Sequence, residues 1–218
     1  MGYDLTLTYA NDTLVAQTSC KVLRDEYKVD VTTIRADSSD RNAIDIVYHR
    51  INDLNIRLDA VIFNAGITCR SSFEDMKYDD WERVFFANVH FPTFLLQRLI
   101  GTINTGGSVV FTGSLMGILP HARSLSYGVT KVAVHALVRN LVKFLTPYQI
   151  RVNGVAPGFV ETEWQKDKPV ETRKNIENKI AAGRFGNPDE LAAVYRLLVE
   201  NTYINGEIII ADGGYSYQ

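Results

Sequence analysis

The chain has 218 residues, 46% of them hydrophobic and 22% charged, which is the composition of an ordinary globular domain. Its 23 basic and 25 acidic residues give a net charge of −2, which argues against a general nucleic-acid or anionic-membrane binder. No apolar run approaches the roughly 18 residues of a membrane span, and we expect no signal peptide because Met1-Gly2-Tyr3-Asp4 has neither a charged nor an apolar region. Cys20 and Cys69 form neither a disulfide framework nor a CxxC site, so a reducing cytoplasm is the expected compartment.

Strands and helices alternate along the chain. Short apolar or alternating runs predict strands at Leu5–Tyr9, Val31–Ile34, Ala60–Phe63, Val109–Phe111, Ile150–Val155 and Ile208–Ile210. Helices are predicted from Thr13 to about Tyr27 and over about Asp40–Leu54, Trp81–Ile100, Ser126–Leu145 and Asp189–Val199. This alternation is typical of a parallel sheet covered by helices on both faces. We therefore expect one α/β domain over residues 1–218, with a doubly wound, Rossmann-like sheet in three α/β/α layers.

Polar or glycine-containing segments follow the predicted strands, where open parallel sheets bind their ligands. Asn64-Ala65-Gly66 follows the third strand, Thr112-Gly113-Ser114 the fourth and Pro157-Gly158 the fifth. Asn88 lies in the helix between the third and fourth strands. Because the carboxyl ends of parallel strands share one edge of the sheet, we expect these residues to meet in or beside one cleft.

Tyr127 and Lys131 stand four residues apart on one predicted helix and therefore share a helix face. A lysine about 4 Å from a tyrosine could lower the tyrosine's pKa from about 10 by about 3 units. This spacing suits a tyrosine that exchanges a proton with a carbonyl or alcohol oxygen. Ser114 would donate a second hydrogen bond to the same oxygen, and Asn88 would hold a water or a backbone group that relays protons to Lys131.

Each of these features also has an ordinary structural explanation. A tyrosine and a lysine at this spacing are most often a surface pair, a serine after a strand is usually a turn or cap residue, and Asn-Ala-Gly usually forms a turn. Their order along the chain, with the segments placed at strand ends, favours a catalytic set over these separate explanations.

The same residues resemble the motifs of the short-chain dehydrogenase/reductase family, from Gly2 to about Gly214. The matching motifs are Asn64-Ala65-Gly66, Asn88-Val89, Ser114 with Tyr127-Gly128-Val129-Thr130-Lys131, and Pro157-Gly158. The chain is most similar to the 3-oxoacyl-[acyl-carrier-protein] reductases of that family. That similarity is carried by Val155–Thr162, Gly183–Gly186 with Asp189-Glu190, and Asp212-Gly213-Gly214.

The resemblance implies a role for each matching residue. Ser114, Tyr127, Lys131 and Asn88 would form the catalytic tetrad, and Tyr127 and Lys131 would also contact the cofactor. Further cofactor contacts, from the adenine to the nicotinamide end, are implied for Asp37, Ser38, Asn64, Ala65, Gly66, Pro157, Gly158, Val160 and Thr162. Residues 163–185 would form a mobile substrate lid, with His121 and Trp164 near the substrate entrance. No metal site is predicted.

Single positions bear on the cofactor and the substrate. Many NAD-preferring members hold the ribose 2′-hydroxyl with an acidic residue where this chain has Tyr9, followed by Ala10 and Asn11. The missing acid favours NADP, with NAD as the alternative, and the sequence shows no arginine at that place. The carrier-docking arginines of the acyl-carrier reductases are matched by Thr105 and Tyr148, which argues against a carrier-protein substrate and leaves small ketones.

The family pattern begins with a strand, a Gly-rich turn and a helix whose N-terminus binds the pyrophosphate. Nothing upstream of Gly2 supplies these elements, and no later glycine pair stands between a strand and a helix. In the strand order 3-2-1-4-5-6 the missing strand would lie mid-sheet and leave two buried edges unpaired, at about 1–3 kcal/mol per orphaned group. We expect either a chain truncated at its N-terminus by roughly 20–30 residues or a short chain whose sheet has closed up.

These observations predict an NADP-dependent oxidoreductase that interconverts a ketone, of the 3-oxoacyl type or another small carbonyl, and a secondary alcohol. The alternative is a catalytically silent relative that acts as a structural or partner subunit, which the missing Gly-rich turn favours and the Ser114–Tyr127–Lys131 set opposes. A nucleotide-sugar epimerase on the same fold is less consistent with Pro157–Thr162 and Gly183–Gly186. From the family we also expect a homo-oligomer, a dimer or tetramer, built on the two long helices at about 81–100 and 126–145.

Overall fold

The computed structural model describes residues 2–120 and 123–217, and within them six strands alternate with seven α-helices. The strands are Leu5–Tyr9 (β1), Val31–Arg35 (β2), Leu58–Phe63 (β3), Ile103–Thr112 (β4), Arg151–Pro157 (β5) and Ile208–Ala211 (β6). The α-helices are Thr13–Tyr27 (α1), Ala43–Asp53 (α2), Tyr78–Phe85 (α3), Phe91–Leu99 (α4), Leu125–Leu145 (α5), Val170–Glu177 (α6) and Pro188–Glu200 (α7). The long helix predicted at about 81–100 is interrupted, because a π-helical segment, Phe86–His90, joins α3 to α4.

All strand pairs are parallel, which confirms the predicted type of sheet. β1 pairs with β2 in one part of the sheet, and β3, β4, β5 and β6 follow one another in the other part. The strand order therefore runs outward on both sides of the space between β1 and β3, with β2 beyond β1 on one side and β4, β5 and β6 beyond β3 on the other. A reversal of strand order of this kind is the topological switch point, at which open α/β sheets bind their ligands.

The edges of β1 and β3 that border this space have no strand partner among the residues that the structure describes, as the sequence predicts. The prediction that these edges are buried is wrong, because no residue of β1 is buried and Ile62 of β3 is 46% exposed. Solvent reaches both strands, so their peptide groups can be hydrated and escape the cost of buried, unpaired groups. β1 and β3 do not pair with each other, so the expectation of a closed-up sheet is also wrong.

Helices cover both faces of the sheet, which confirms the three-layer architecture. On one face α2 and α4 share an apolar core with β2 and β3, formed by Ile34, Val47, Ile51, Leu95 and Leu99 with Leu58 and Phe63 packed against them. This core holds the two parts of the sheet together, because it contains side chains from both. On the same face α5 packs on β4 and β5, and on the opposite face Leu198 of α7 contacts Val110 and Val155.

Capping residues in the sequence set the first turn of several helices. Asp12 accepts a hydrogen bond from the backbone N–H of Val15 at 2.9 Å and caps α1. Asn187 and Glu190 form a reciprocal capping box at the start of α7, where Pro188 is the first helical residue. Ser124 caps α5 and so fixes the helix end that carries Tyr127.

Among residues 2–120 and 123–217, no helix is both long enough and apolar enough to cross a membrane. The same part of the chain has no group of three or more histidine, cysteine or acidic side chains that could hold a metal ion.

Candidate active site

Ser114 stands two residues after the end of β4, at the carboxyl end of the sheet, and is 7% exposed. Its backbone N–H donates a hydrogen bond to Nε2 of His135 at 3.3 Å, and its Oγ accepts one from the N–H of Met116 at 3.1 Å. His135 is buried, and burial together with the charge of Lys131 lowers the pKa of its imidazole to about 4. The histidine is therefore neutral at physiological pH, and its Nε2 is free to accept from Ser114.

Two glycines make room for this imidazole. A Cβ added at Gly113 would lie 2.1 Å from Nε2 of His135, and one added at Gly117 would lie 2.7 Å from Cε1 of the same ring. Both glycines flank Ser114 in the segment after β4. The backbone of that segment and the histidine of α5 are therefore fitted to each other, and the fit fixes where Ser114 stands.

The first two turns of α5 bring Tyr127 and Lys131 beside Ser114. The Lys131 ammonium lies 5.4 Å from the centre of the Tyr127 ring and donates a hydrogen bond to the carbonyl oxygen of Thr112 at 2.6 Å. Lys131 is only 3% exposed, whereas Tyr127 is half-buried and its side chain is hydrogen-bonded to Ser114. The structure thus brings together three of the four residues predicted to form the catalytic tetrad.

The pKa of Tyr127 differs from the prediction. Burial raises the pKa of this tyrosine above its ordinary value, and the hydrogen bond with Ser114 offsets only part of that rise. Burial also lowers the pKa of Lys131 to about 8. The predicted lowering of the Tyr127 pKa by Lys131 is wrong for this chain by itself, because the interior disfavours the charged form of both side chains and the ammonium is directed at the Thr112 carbonyl.

Asn88, the fourth predicted residue, is buried in the π-helical segment and holds the loop that follows β3. Its Nδ2 donates to the carbonyl oxygen of Ile67 at 2.9 Å and to Oγ1 of Thr130 at 3.0 Å, and its Oδ1 accepts from the N–H of Ile67 at 2.8 Å. Of the two groups predicted for Asn88, a water or a backbone group, the structure shows the backbone group. An added Cβ at Gly66 would lie 3.2 Å from Asn88 Oδ1 and 3.5 Å from Lys131 Nζ, so Gly66 lies between these two side chains.

The residues predicted to bind the adenosine end follow β2 and β3. Asp37 is half-buried and accepts hydrogen bonds from the N–H and the hydroxyl of Ser39, both at 2.8 Å, and Ser38 beside it is buried. Asn64 is exposed and accepts from Oγ1 of Thr112 at 3.0 Å, which ties the end of β3 to the end of β4. Ala65 is also exposed. These residues follow the carboxyl ends of their strands, as predicted.

The residues predicted for the nicotinamide end follow β5. Pro157 is its last residue, and an added Cβ at Gly158 would lie 2.7 Å from the Cα of Asp212, which follows β6. Val160 is buried and forms a β-bridge with Gly186, whereas Thr162 is exposed. This segment is therefore anchored on both sides before the chain enters the predicted lid.

The predicted lid, residues 163–185, contains a short 3₁₀ turn at Glu163–Gln165 and the helix α6. Trp164 is 47% exposed and its ring centre lies 6.0 Å from that of Tyr127. At the other end of the lid, Arg173 forms an ion pair with Glu161 and its guanidinium lies 4.5 Å above the ring of Phe185. The other residue predicted near the substrate, His121, lies outside the described residues.

Some residues that shape the site were missed by the sequence analysis. His135 positions Ser114, Thr130 receives the amide of Asn88, and the hydroxyl of Tyr195 lies 2.7 Å from Oγ1 of Thr112. His135 could have been found, since it continues the four-residue spacing of Tyr127 and Lys131 along one helix face. Tyr195 could not, because only the tertiary fold brings α7 to the end of β4.

Comparison with known proteins assigns the architecture to a family. The family model described as enoyl-(acyl carrier protein) reductase matches residues 1–216. The chain is 32% identical over 194 residues to a 3-oxoacyl-[acyl-carrier-protein] reductase of Thermotoga maritima, covering 87% of this chain and 76% of that protein. The chain belongs to the short-chain dehydrogenase/reductase family. It is therefore an oxidoreductase of that family, whose members use NAD or NADP.

Other relatives of this short-chain dehydrogenase/reductase have different substrates in their names. An L-rhamnose 1-dehydrogenase (NAD(P)+) of a Sphingomonas species is 30% identical over 221 residues, which covers 98% of this chain and 86% of that protein. A crystal structure of a short-chain dehydrogenase from Burkholderia cenocepacia in complex with NADP superposes with a TM-score of 0.89 at 26% identity, covering 98% of this chain and 87% of that one. The family and the fold are thus shared across proteins that act on different small molecules.

The lowered pKa of Lys131 predicts a pH dependence of stability. Between about pH 8 and the free-lysine pKa of about 10.4, the unfolded chain binds a proton that the folded chain does not. The free energy of unfolding should therefore rise with pH above about 8, by at most about 1.4 kcal/mol per pH unit from this group. Urea unfolding at several pH values between about 8 and 9.5 measures this change in the free energy of unfolding.

Two variants isolate the contribution of Lys131. Lys131→Met should lose the rise, whereas Lys143→Met, at an exposed position of the same helix, should keep it. An equal slope in the wild type and in Lys131→Met would show that Lys131 is not the group responsible.

Proposed function

We propose that this protein is an NADP-dependent oxidoreductase that interconverts a ketone and a secondary alcohol. The observation that carries the proposal is the convergence of Ser114, Tyr127 and Lys131 at the carboxyl end of β4, with Asn88 holding the adjoining loop. A hydroxyl pair with a buried ammonium beside it matches what the reduction of a carbonyl group requires. Transfer of deuterium from C4-deuterated NADPH to the carbonyl carbon of a small ketone tests the proposal.

Each side chain has a role that follows from its environment. Because burial raises its pKa, Tyr127 is a neutral phenol near pH 7 and can donate its proton to a carbonyl oxygen during reduction. Ser114 would donate a second hydrogen bond to the same oxygen and stabilise the charge that develops there. Lys131, still protonated below about pH 8, would favour the phenolate that Tyr127 becomes. When bound, the nicotinamide cofactor supplies the hydride.

The residues present fit the two ends of a dinucleotide but not its pyrophosphate. Gly66 leaves open the place where a side chain would meet Asn88 and Lys131, and the exposed Asn64 and Ala65 leave that edge accessible to a ribose. Tyr127 and Lys131 would hold the nicotinamide ribose, and Pro157, Gly158, Val160 and Thr162 the nicotinamide end. Asp37 and Ser38 would face the adenine. Residues 2–120 and 123–217 contain no Gly-rich turn between a strand and a helix for the pyrophosphate.

NADP is the proposed cofactor, with NAD as the alternative. Tyr9, Ala10 and Asn11 offer no carboxylate for a ribose 2′-hydroxyl at the end of β1. The structure adds a cation that the sequence analysis did not place there, because Nε of the exposed Arg35 donates to the carbonyl oxygen of Ala10 at 3.2 Å. A guanidinium at that position suits a 2′-phosphate. The Burkholderia cenocepacia relative in complex with NADP supports the same choice.

The proposed substrate is a small carbonyl compound, of the 3-oxoacyl type or another ketone. Trp164 of the proposed lid lies beside Tyr127 and would contact the substrate. The relatives named 3-oxoacyl-[acyl-carrier-protein] reductase support the first type. Against a carrier-bound form, the two candidate docking positions hold Thr105 and Tyr148, neither of which is basic.

One observation favours a second candidate, a catalytically silent subunit of an oligomer. At the switch point, where the cofactor's pyrophosphate would bind, the facing edges of β1 and β3 have no strand partner in the described part of the chain. Measured binding of NADPH by the 218-residue chain would decide against this candidate.

The proposed location is a reducing cytoplasm, which suits the free thiols of Cys20 and Cys69.

We further propose that residues 1–218 act as one domain and that the protein is a homo-oligomer, a dimer or tetramer, built on the helical stretch from α3 to α4 and on α5. Both helices carry exposed apolar side chains, among them Phe94 at 48%, Val132 at 52% and Phe144 at 71%. Replacing Val132 by Glu should shift the assembly toward monomer, because a charge would be buried in the contact. Sedimentation velocity at two protein concentrations measures the oligomeric state of both chains. A wild-type chain that is monomeric at both concentrations would contradict the proposal.

A further inference from the structure

Two loops at the mouth of the proposed site are tied together by one serine. Oγ of Ser124 donates to the carbonyl oxygen of Cys69 at 2.6 Å and accepts from Oγ1 of Thr68 at 2.9 Å. Arg70 follows Cys69 in the chain, and Arg123 precedes Ser124. The same Ser124 caps the helix that carries Tyr127, so both arginines are attached to the backbone immediately next to that helix end.

A third cation comes from the proposed lid. Trp164 contacts Tyr127, and the chain then turns so that the N–H of Lys168 donates to the carbonyl oxygen of Gln165 at 3.2 Å. Partial burial, together with the charges of Arg70, Arg123 and Arg173, lowers the pKa of Lys168. The charges of three arginines, two of them next to the residues that Ser124 ties together, therefore act on Lys168, which lies four residues after Trp164 in the lid.

These cations are not all balanced by carboxylates. Arg173 is paired with Glu161 and Glu177, and elsewhere on the lid Lys166 lies 3.2 Å from Glu163. Within residues 2–120 and 123–217, neither Arg70 nor Lys168 forms an ion pair. Holding like charges together raises the energy of the free protein, and a bound anion would relieve that repulsion.

We propose that Arg70, Arg123 and Lys168 form a subsite for an anionic group, a carboxylate or a phosphate, on the carbonyl substrate whose oxygen reaches Tyr127. This deepens the proposed function and rests on it. The subsite would select charged ketones over neutral ones of the same shape. Its contribution would fall as salt is added, because the Debye length is only about 8 Å at 0.15 M ionic strength.

Binding can be measured without turnover, because Trp164 reports on the site. The chain has two tryptophans, so the variant Trp81→Phe leaves Trp164 as the only one. In that background we would titrate 4-oxopentanoate against its methyl ester, and dihydroxyacetone phosphate against dihydroxyacetone, following tryptophan fluorescence with calorimetry as a check. We expect at least one anion to bind about tenfold or more tighter than its neutral partner. The two pairs distinguish a carboxylate from a phosphate.

Matched single variants test which residues bind the anionic group. Lys168→Gln and Arg70→Gln should each weaken binding of the preferred anion about three- to fivefold, whereas Lys166→Gln, a lysine of the same lid that is paired with Glu163, should leave it unchanged. Equal or absent binding of each anion and its neutral partner would overturn the subsite, as would equal effects of Lys168→Gln and Lys166→Gln.

The outcome also separates this inference from the proposed function. Anion-selective binding without reduction of any ketone would leave the subsite standing and remove the proposed activity. Reduction of charged and neutral ketones with equal kcat/KM would leave the activity standing and remove the subsite.

Discussion

Replacing Tyr127 by Phe should lower kcat about 10²- to 10⁴-fold, the range that general acid catalysis contributes. The substitution keeps the ring, its contact with Trp164 and its position near Lys131, and removes only the hydroxyl that donates the proton. The measurement is the steady-state loss of NADPH absorbance with a reducible ketone. Because Tyr127 is also proposed to hold the nicotinamide ribose, kcat is compared at saturating NADPH. Thermal unfolding of the variant should stay close to that of the wild type, which separates lost chemistry from lost structure.

Tyr148→Phe is the matched control for this substitution. Tyr148 is 48% exposed and lies in the 3₁₀ turn after α5. Tyr148→Phe therefore removes an equivalent phenol hydroxyl at a position outside the candidate site. We expect its kcat to be unchanged. A Tyr127→Phe variant that retains more than about a tenth of the wild-type kcat would refute the proposed acid role.

Adding a strand, a Gly-rich turn and a helix ahead of Gly2 should raise the affinity for NADPH about tenfold or more. The added strand has a place to pair, because β1 and β3 are both parallel-sheet edges open toward the same space. The turn would then lie at the switch point, where backbone N–H groups at a helix N-terminus bind phosphate. Titration of NADPH fluorescence with the 218-residue chain and with the extended chain measures the difference.

The control for the extension keeps the strand and the helix and replaces the turn glycines by alanine. The added Cβ atoms prevent the close approach of backbone and pyrophosphate, so this version should gain stability without the gain in affinity. Equal NADPH affinity in all three chains would show that the space between β1 and β3 is not where the pyrophosphate binds.

Much of the fold could be predicted from local patterns. Apolar runs such as Ala60–Phe63 mark strands because a strand covered on both faces needs them, and the spacing of Tyr127 and Lys131 places both on one helix face. The family resemblance added the strand order, and with it the unpaired edges of β1 and β3. The interruption at Phe86–His90 was not predicted, although the sequence carries a signal for it: Pro92, near the start of α4, has no N–H to continue the hydrogen bonds of an α-helix.

The energetics of the site depend on tertiary burial, which a sequence does not display. The Tyr127–Lys131 spacing predicts a lowered tyrosine pKa in a medium of effective dielectric near 20, whereas the folded chain raises it by burial. Arg35 and Ala10 are 25 residues apart, and only the pairing of β1 with β2 brings them into contact. The charges of Arg70 and Arg123 near Lys168 were likewise not predicted, because these arginines come from segments distant from the lid in the sequence.

The most direct test of the central claim is hydride transfer itself. The chain and its extended version would be incubated with NADPH deuterated at C4 and with small ketones, and the products analysed by mass spectrometry. We predict a secondary alcohol with deuterium on the carbinol carbon, formed in step with oxidised cofactor and lost in Tyr127→Phe. NADPH that binds but transfers no deuterium to any ketone, in either chain, would contradict the account and favour a catalytically silent subunit.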